Sequence, residues 1–369
     1  MDHAHGGNKL VWCHLRTRYW IFSAKNAIKF ELRKCVKCRR HRGETMNQLM
    51  APLPFPRVNP GRAFQNCGVD FAGPFNLRVM KIKSNKLHKA YFCIFVCMAT
   101  KAVHLEPVGD LSTEAFLAAL DRFAAIRGTP SSLHSDCGTN FVGADKEIRN
   151  LFSSQTHKDN LTNHGSPKGI TWTFNSPGAP SHGGLWEAGV KSVKYHMKRV
   201  VGDRSLTFEE FDTILKRISA FLNSRPLCPI TANPDDFDVL TPGHFLIGGP
   251  ITAMPKQNIT EMKMNRLTRW QLTEQTVQHV WNRWRAEYLT TLQQRWKWQK
   301  KGDNISVGDL VVIHEENIPS TQWKLGRVSD LHKGPDNNVR IVTVKTATGM
   351  LKRPILKLTP ILSAQEQDE

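Results

Sequence analysis

No run of 18 or more apolar residues occurs in the 369-residue chain, so no segment is long enough to cross a bilayer as an apolar helix. The opening MDHAHGGNK also lacks the apolar core of a secretory leader, so neither membrane insertion nor secretion is expected. Cysteine is scarce: eight residues, irregularly spaced, cannot build a disulfide scaffold for so long a chain. Cys93 and Cys97 lie in an apolar run, where a small core side chain is the simpler account, and a reducing compartment follows. Acidic side chains are also in short supply. Asp and Glu number 32 against 51 Lys and Arg, for a net charge of +19 and a pI near 9.7, which favours a polyanionic partner. The length predicts two or three domains with ample material for a buried core.

Within that deficit, three acids are set apart by their surroundings. Asp70 lies in CGVDFAGPF, where a strand would hold a carboxylate beside the core, an expensive address unless a cation neutralises it. Asp136, in HSDCGTNF, reads as the last residue of a strand emptying into a turn, the usual place for ligands in open α/β sheets. Glu187 follows Gly183 and Gly184 near the start of a helical stretch, with Lys191 and Lys194 on its own face at i+4 and i+7. Any one of them alone is as readily a solvated surface acid. Gathered together, they would make an oxygen-lined site for two Mg²⁺ ions, able to activate water or a hydroxyl against a phosphodiester.

Residues 1–45 carry His3, His5, Cys13, His14, Cys35, Cys38 and His41. Cys35 and Cys38 form a Cys-x-x-Cys some thirty residues after the first histidines, which is ligand spacing for a tetrahedral Zn²⁺. Between them Tyr19, Trp20, Ile28 and Leu32 suit small helices too short to hold together without a metal. Residues 46–66, with four prolines, read as an extended linker wrapping onto the core.

Downstream, AYFCIFVCMATKAVHLEPV predicts two strands joined by a tight turn at Thr100 and Lys101. Ser112 opens a helix with the stripe Phe116, Leu117, Leu120, Phe123 and Ile126, stopped by Gly128, and a parallel strand ending at Asp136 follows. A further strand ends at Asn175, and the loop after it, rich in Pro and Gly, reads equally as a plain turn or as a flap that lets backbone approach a phosphate. The Glu187 helix extends to about Val201 with Lys191, Lys194, Lys198 and Arg199 on or near one side. A second helix buries Phe211, Ile214, Leu215, Ile218 and Leu222. Residues 226–265 read as loops with LTPGHFLIGGP as the ordered piece. From Leu267 to Trp298 the aromatic stripe Val277, Trp281, Trp284, Tyr288 and Leu292 predicts a helix with a packing or partner face, coiled-coil self-association included. Residues 305–361 predict about five short strands in a small barrel with Lys324, Arg327, Lys345, Lys352, Arg353 and Lys357 on its surface.

Taken in order, GVDFAGPF, KAVHLEPV, LSTEAFLAAL through RGTP, SDCGTNF, SPGAPSHGGLWEAGVKSVK, LNSRPL and LTPGHFLIG resemble retroviral and retrotransposon integrases, the DDE polynucleotidyl transferases, most closely those of Pao/BEL-type elements. The resemblance covers roughly residues 30–360. It implies a multi-domain protein: a partial His-His-Cys-Cys zinc segment over 1–45 lacking its true N-terminus, a linker over 46–66, and an α/β RNase H-like core over 67–225. A loop region with an amphipathic helix would span 226–300, and an SH3-like β-barrel 305–361.

The resemblance further implies that Asp70, Asp136 and Glu187 are the catalytic, Mg²⁺- or Mn²⁺-binding triad, with Asn140, Lys191, Lys194 and Lys198 toward DNA, and His5, Cys35 and Cys38 toward Zn²⁺. The implied activity is Mg²⁺-dependent 3′-end processing and strand transfer of element DNA into a target duplex. The implied setting is a homo-oligomer inside the cell, in the nucleus or a cytoplasmic retroelement particle. Two departures qualify the pattern. Cys137 stands where the family usually has Asn, and Asp136 and Glu187 are 51 positions apart, longer than the family interval. The extra length falls in SSQTHKDNLTNHGSPKG, a polar stretch that lengthens at small entropic cost. The rival expectations are a hydrolytic nuclease of the same fold and a weakly active or inactive nucleic-acid-binding protein derived from such an element.

Overall fold

The structure is a computed structural model that describes residues 7–36, 52–78, 87–153, 169–175, 183–202, 204–231, 233, 235–292, 305–315, 318–334 and 339–361. The chain divides into two compact units, Met1–Leu53 and Pro54–Glu369.

The first unit holds two short helices, α1 (Asn8–Arg16) and α2 (Ala24–Arg33). Helices of this length are marginal in isolation, and Ile28 is the single buried apolar residue described here. The expected stripe is not formed: Tyr19 and Trp20 fall between the helices, and Trp20 is 89 % exposed. Basic groups stand over the Trp12 ring instead, Lys25 at 4.8 Å and Arg16 at 5.1 Å from its centroid.

In the second unit a mixed sheet positions the acids. Strands β1 (Asn66–Arg78), β2 (Leu87–Cys97) and β3 (Val103–Val108) run antiparallel, and β4 (Ser132–Ser135) and β5 (Thr171–Phe174) add in parallel on the other side, in the order β3-β2-β1-β4-β5. The two-residue β6 (Leu206–Thr207) pairs with the far end of β1. Strand alternation sorts the side chains of β1 and β2 onto two faces. Val69, Cys93 and Phe95 meet α3 (Thr113–Arg127) and α4 (Thr139–Ser153), while Ala72, Ile94 and Val96 meet α5 (Gly184–Val201) and α6 (Phe208–Asn223). The cysteines of β2 are core residues, as expected. Ser112 caps α3 by accepting the Ala115 N–H at 3.1 Å, and Phe116, Leu120 and Phe123 bury, but Ile126 is 60 % exposed at the last turn.

β3 departs from the alternating pattern read in its sequence. Although it is an edge strand, every residue is buried, His104 and Glu106 included. Side chains of α6 take the place of a neighbouring strand: Asn223 accepts the Val103 N–H at 2.8 Å and donates to the Val103 carbonyl at 2.7 Å, Ser219 donates to the same carbonyl at 2.8 Å, and Lys216 donates to the Leu105 carbonyl at 2.8 Å. Glu106, 2 % exposed, is held by His104 at 2.8 Å, Arg122 at 2.9 Å and Lys216. Despite burial, those bonds pull its pKa down to about 2. The edge is thereby closed to pairing with other chains. Asn223→Ala, leaving the Val103 N–H unpaired while Ser219 still serves the carbonyl, is expected to cost about 1–3 kcal/mol, measured as a shift in the urea midpoint with an unchanged slope.

Helix α7 (Arg269–Leu292) carries the aromatic stripe, and that face is consumed within the chain. Trp281 packs on Phe221 and on Trp323 at 5.2 Å each, Tyr288 stacks on Trp284, and the Trp281 indole donates to the Ile318 carbonyl at 3.1 Å. Val277, Trp281 and Trp284 are therefore already buried and unavailable for coiled-coil self-association, while Tyr288 and Leu292 are half-buried.

Beyond α7, β9 (Leu310–Ile313), β10 (Leu325–Lys333), β11 (Val339–Thr346), β12 (Gly349–Pro354) and β13 (Leu358–Pro360) form an antiparallel five-stranded sheet, with Val311, Ile313, Val328, Val342, Val344 and Leu358 as its core. The short β7 (Cys228–Pro229) and β8 (Val239–Leu240) pair with each other. The basic surface expected here is smaller than its sequence suggests. Arg327 is 8 % exposed and donates to the carbonyls of Thr231, Asp236 and Gly308, which makes it a clasp between segments. Lys345 pairs with Asp235 at 2.6 Å and Lys324 with Glu315, while Lys352 and Lys357 stay exposed.

Candidate active site

Three elements deliver the three acids to one end of the sheet. Asp70 sits in β1 opposite Ile94 of β2, on the face covered by α5. Asp136 is the first residue after β4, which runs parallel to β1, so both chains reach the same end. Glu187 lies in the first turn of α5, where the helix dipole favours a negative charge.

Close packing fixes how α5 lies on the sheet. A Cβ on Gly68, two residues before Asp70 on the same face, would stand 2.7 Å from Trp186 Cδ2, inside contact distance. Gly189 is less tight, 3.0 Å from Ile94 Cδ1 for an added Cβ. A helix can therefore seat its Trp186 ring directly on the strand, and Glu187 follows one residue later beside Asp70.

The electrostatics report the gathering. Burial raises the Asp70 pKa to about 6, the Phe71 N–H at 2.6 Å opposes the rise, the charges of Asp136 and Glu187 add to it, and Lys194 lowers it. Asp136, Glu187 and Lys194 thus all act on Asp70. Among the described residues no three His, Cys, Asp or Glu side chains stand close enough together to hold a metal ion, the three acids included. The donor set nevertheless suits the expected ion, since hard carboxylate oxygens are what Mg²⁺ takes, and a repelled carboxylate half out of water gains most from a cation.

Asp136 is exposed and accepts the Gly138 N–H at 3.1 Å, which holds the turn after β4. Asn140, in the first turn of α4, leans back over that turn: a Cβ built on Gly138 would stand 2.7 Å from Asn140 Oδ1 and 3.2 Å from Asp136 Oδ1. Lys194 is half-buried and Lys191 and Lys198 are exposed. The loop read as a flap, 176–182, lies outside the described residues, and so do His5 and Cys38. Of the expected zinc ligands Cys35 alone is described, half-buried just past α2.

Asn175, at the end of β5, lies between the turn after β4 and the start of α5. Its N–H donates to the Ser135 carbonyl at 2.9 Å, its carbonyl accepts from Cys137 Sγ at 3.1 Å, and its Nδ2 stands 3.2 Å from where a Gly183 Cβ would sit, 3.0 Å in turn from Glu187 Cδ. Cys137 thereby acquires a role, tying the ends of β4 and β5 together. The available sequence signal was position: the last residue of a strand before a Pro/Gly loop.

Residues 268–361 match a family profile described as a family of unknown function (DUF5641). No curated protein matches the chain. Among solved structures, the chain is similar to one in the cryo-EM structure of a simian T-cell lymphotropic virus intasome in complex with PP2A regulatory subunit B56 gamma. There the identity is 13 %, 98 % of this chain and 96 % of that chain are covered, and the TM-score is 0.33. It is also similar to the HTLV-2 integrase catalytic core domain in complex with magnesium (dimeric form), at 15 % identity, 44 % and 88 % coverage and a TM-score of 0.27. Likenesses this weak assign neither fold nor family. The chain's own geometry carries the functional reading.

Proposed function

We propose that this chain is a retroelement integrase, a Mg²⁺-dependent polynucleotidyl transferase that trims the 3′ ends of a linear DNA and joins them to a target duplex. The observation that carries it is that Asp136 and Glu187 lie near enough to Asp70 for their charges to act on it, its pKa being raised to about 6 by burial first and by those two acids after it. Perturbed carboxylates in a cluster mark functional sites. The strand order, three antiparallel strands followed by two parallel ones, supports an RNase H-like core, and the five-stranded C-terminal sheet supports an SH3-like domain. Neither detail alone separates an integrase from a nuclease of the same fold.

In this reading Asp70, Asp136 and Glu187 are the residues that would hold Mg²⁺, which would supply activation of a water or hydroxyl and charge stabilisation. The chain's residues do the rest. Asn140, beside Asp136, positions the DNA end, and Lys191 and Lys198 on the exposed side of α5 contact phosphates. Lys194 keeps Asp70 nearer its charged form. In trimming, water attacks phosphorus and the P–O3′ bond breaks, freeing a 3′-hydroxyl. In joining, that hydroxyl attacks a target phosphorus, the target's own P–O3′ bond breaks, and the departing oxygen takes up a proton. The remaining parts of the proposal are a zinc site from His5, Cys35 and Cys38, assembly as a homo-oligomer on paired DNA ends, and action in the nucleus or a retroelement particle.

A second reading, a DNA-binding protein without catalysis, is favoured by Cys137 and by carboxylates that stand apart. A joining assay with labelled DNA ends decides between them. Wild-type chain with Mg²⁺ is expected to produce joined strands, and Glu187→Gln to reduce them by roughly a thousandfold with DNA affinity nearly unchanged. Absence of joining by wild type under saturating DNA and Mg²⁺, with binding intact, selects the second reading.

A further inference from the structure

We infer that the groove between α5, the β2–β3 turn and α7 binds an unpaired nucleotide, an aromatic ring carrying a phosphate. The groove encloses about 550 Å³, within the range of small-ligand sites. Its lining on α5 runs from Leu185, Ser192 and His196, opposite Glu187 by helical rotation, round to Lys191, one turn on from Glu187, and includes none of the three carboxylates. Its walls are apolar and aromatic, with Trp284 and Tyr288 stacked at 5.2 Å and 12°.

Cations stand at its rim without acids to match. Lys101, Lys191 and Arg225 line the groove, and none is within ion-pair distance of a carboxylate among the described residues. Arg57 adds a fourth positive charge close enough to act on Lys101. The one acid in the lining, Glu287, is already engaged by His196 and Arg283 at 3.6 Å each. His196, also in the lining, is 3 % exposed and its Nδ1 has no partner among the described residues, a buried polar atom left unsatisfied.

Lys101 itself is held in an unusual conformation. Its φ is 57°, a region that suits glycine, and Arg225 fixes it there by donating to the Lys101 carbonyl at 2.6 Å. A lysine is thus kept in the lining of the groove where glycine would be easier. Together these features match a flat ring between hydrophobic walls and an anion at the rim. The nucleotide could be free or an unpaired residue at a DNA end. The second source rests on the reading proposed above.

Calorimetry on the full chain in EDTA tests the site with deoxyadenosine monophosphate, deoxyadenosine and inorganic phosphate. The monophosphate is expected to bind about tenfold more tightly than either fragment. Lys101→Gly should leave the fold as stable or more so while weakening monophosphate binding about tenfold. Ala188→Trp, which fills the groove, should abolish binding. A duplex with one unpaired 5′ nucleotide, compared with the blunt duplex, supplies the second arm. Preference for the unpaired end that both variants remove assigns the ligand to DNA; monophosphate binding without such preference assigns it to free nucleotide. Failure of both arms, or affinities that neither variant changes, overturns the site. Because no metal is present and Asp70→Asn should bind equally well, the result is independent of whether the carboxylates catalyse joining.

Discussion

Asp70→Asn is expected to make the protein more stable at pH 8 while ending DNA joining. The aspartate's native pKa is raised to about 6 from an unfolded value of 3.8, so between those values the native state retains a proton that the unfolded state has lost. Stability from this group therefore falls as pH rises from about 4 to 6, and its cost is complete above that window. Two units correspond to about 3 kcal/mol. Partial solvent access and loss of the attraction to Lys194 reduce the expected gain for the variant to about 2 kcal/mol. Paired urea titrations at pH 8 and pH 3.5 check the sign, because the difference should vanish at the lower pH. Mg²⁺ should stabilise wild type and leave the variant unmoved if the carboxylates hold it. A variant less stable than wild type at pH 8 would mean that Asp70 is a structural acid and not a strained one.

Gly68→Ala should be the most damaging single methyl in the core. Its Cβ would press on the Trp186 ring, a buried indole packed between β1 and α5. Overpacking of this kind costs about 2–3 kcal/mol. The larger effect is expected on chemistry, since Glu187 is the next residue and a shift of about 1 Å in a reacting group can cost a hundredfold. Gly189→Ala, with a 3.0 Å approach to the movable end of Ile94, should cost much less. Pairing Gly68→Ala with Trp186→Leu tests the cause: if the clash is the mechanism, the double variant recovers stability relative to the sum of the singles. Simple additivity would place the damage elsewhere.

Much of the scaffold could be read before any coordinates because it rests on local rules. The strand carrying Asp70, the strand ending beside Asp136, the α3 helix between Ser112 and Gly128, and α5 with Glu187 in its first turn all follow from apolar spacing, a capping serine and stop glycines. The five C-terminal strands follow from the same alternation. Errors came where a residue's partner is distant. Arg327 has the composition of a surface cation and serves as a buried clasp because three carbonyls from other segments converge on it. The stripe on α7 has the pattern of a partner face and is filled by Phe221 and Trp323. Tyr19 and Trp20 have helical spacing and lie between helices.

By itself the sequence determined the polarity of the molecule, the order of its elements and which acids stand at strand and helix ends, since each depends on neighbours within a few residues. Only the tertiary structure decided that those acids share one field, that Asn223 closes the sheet edge, and that Asn175 and Cys137 bind two strand ends together. Each of these depends on groups distant in the chain meeting at hydrogen-bonding or Coulombic range. No local pattern encodes such meetings, because they are selected by how whole faces pack.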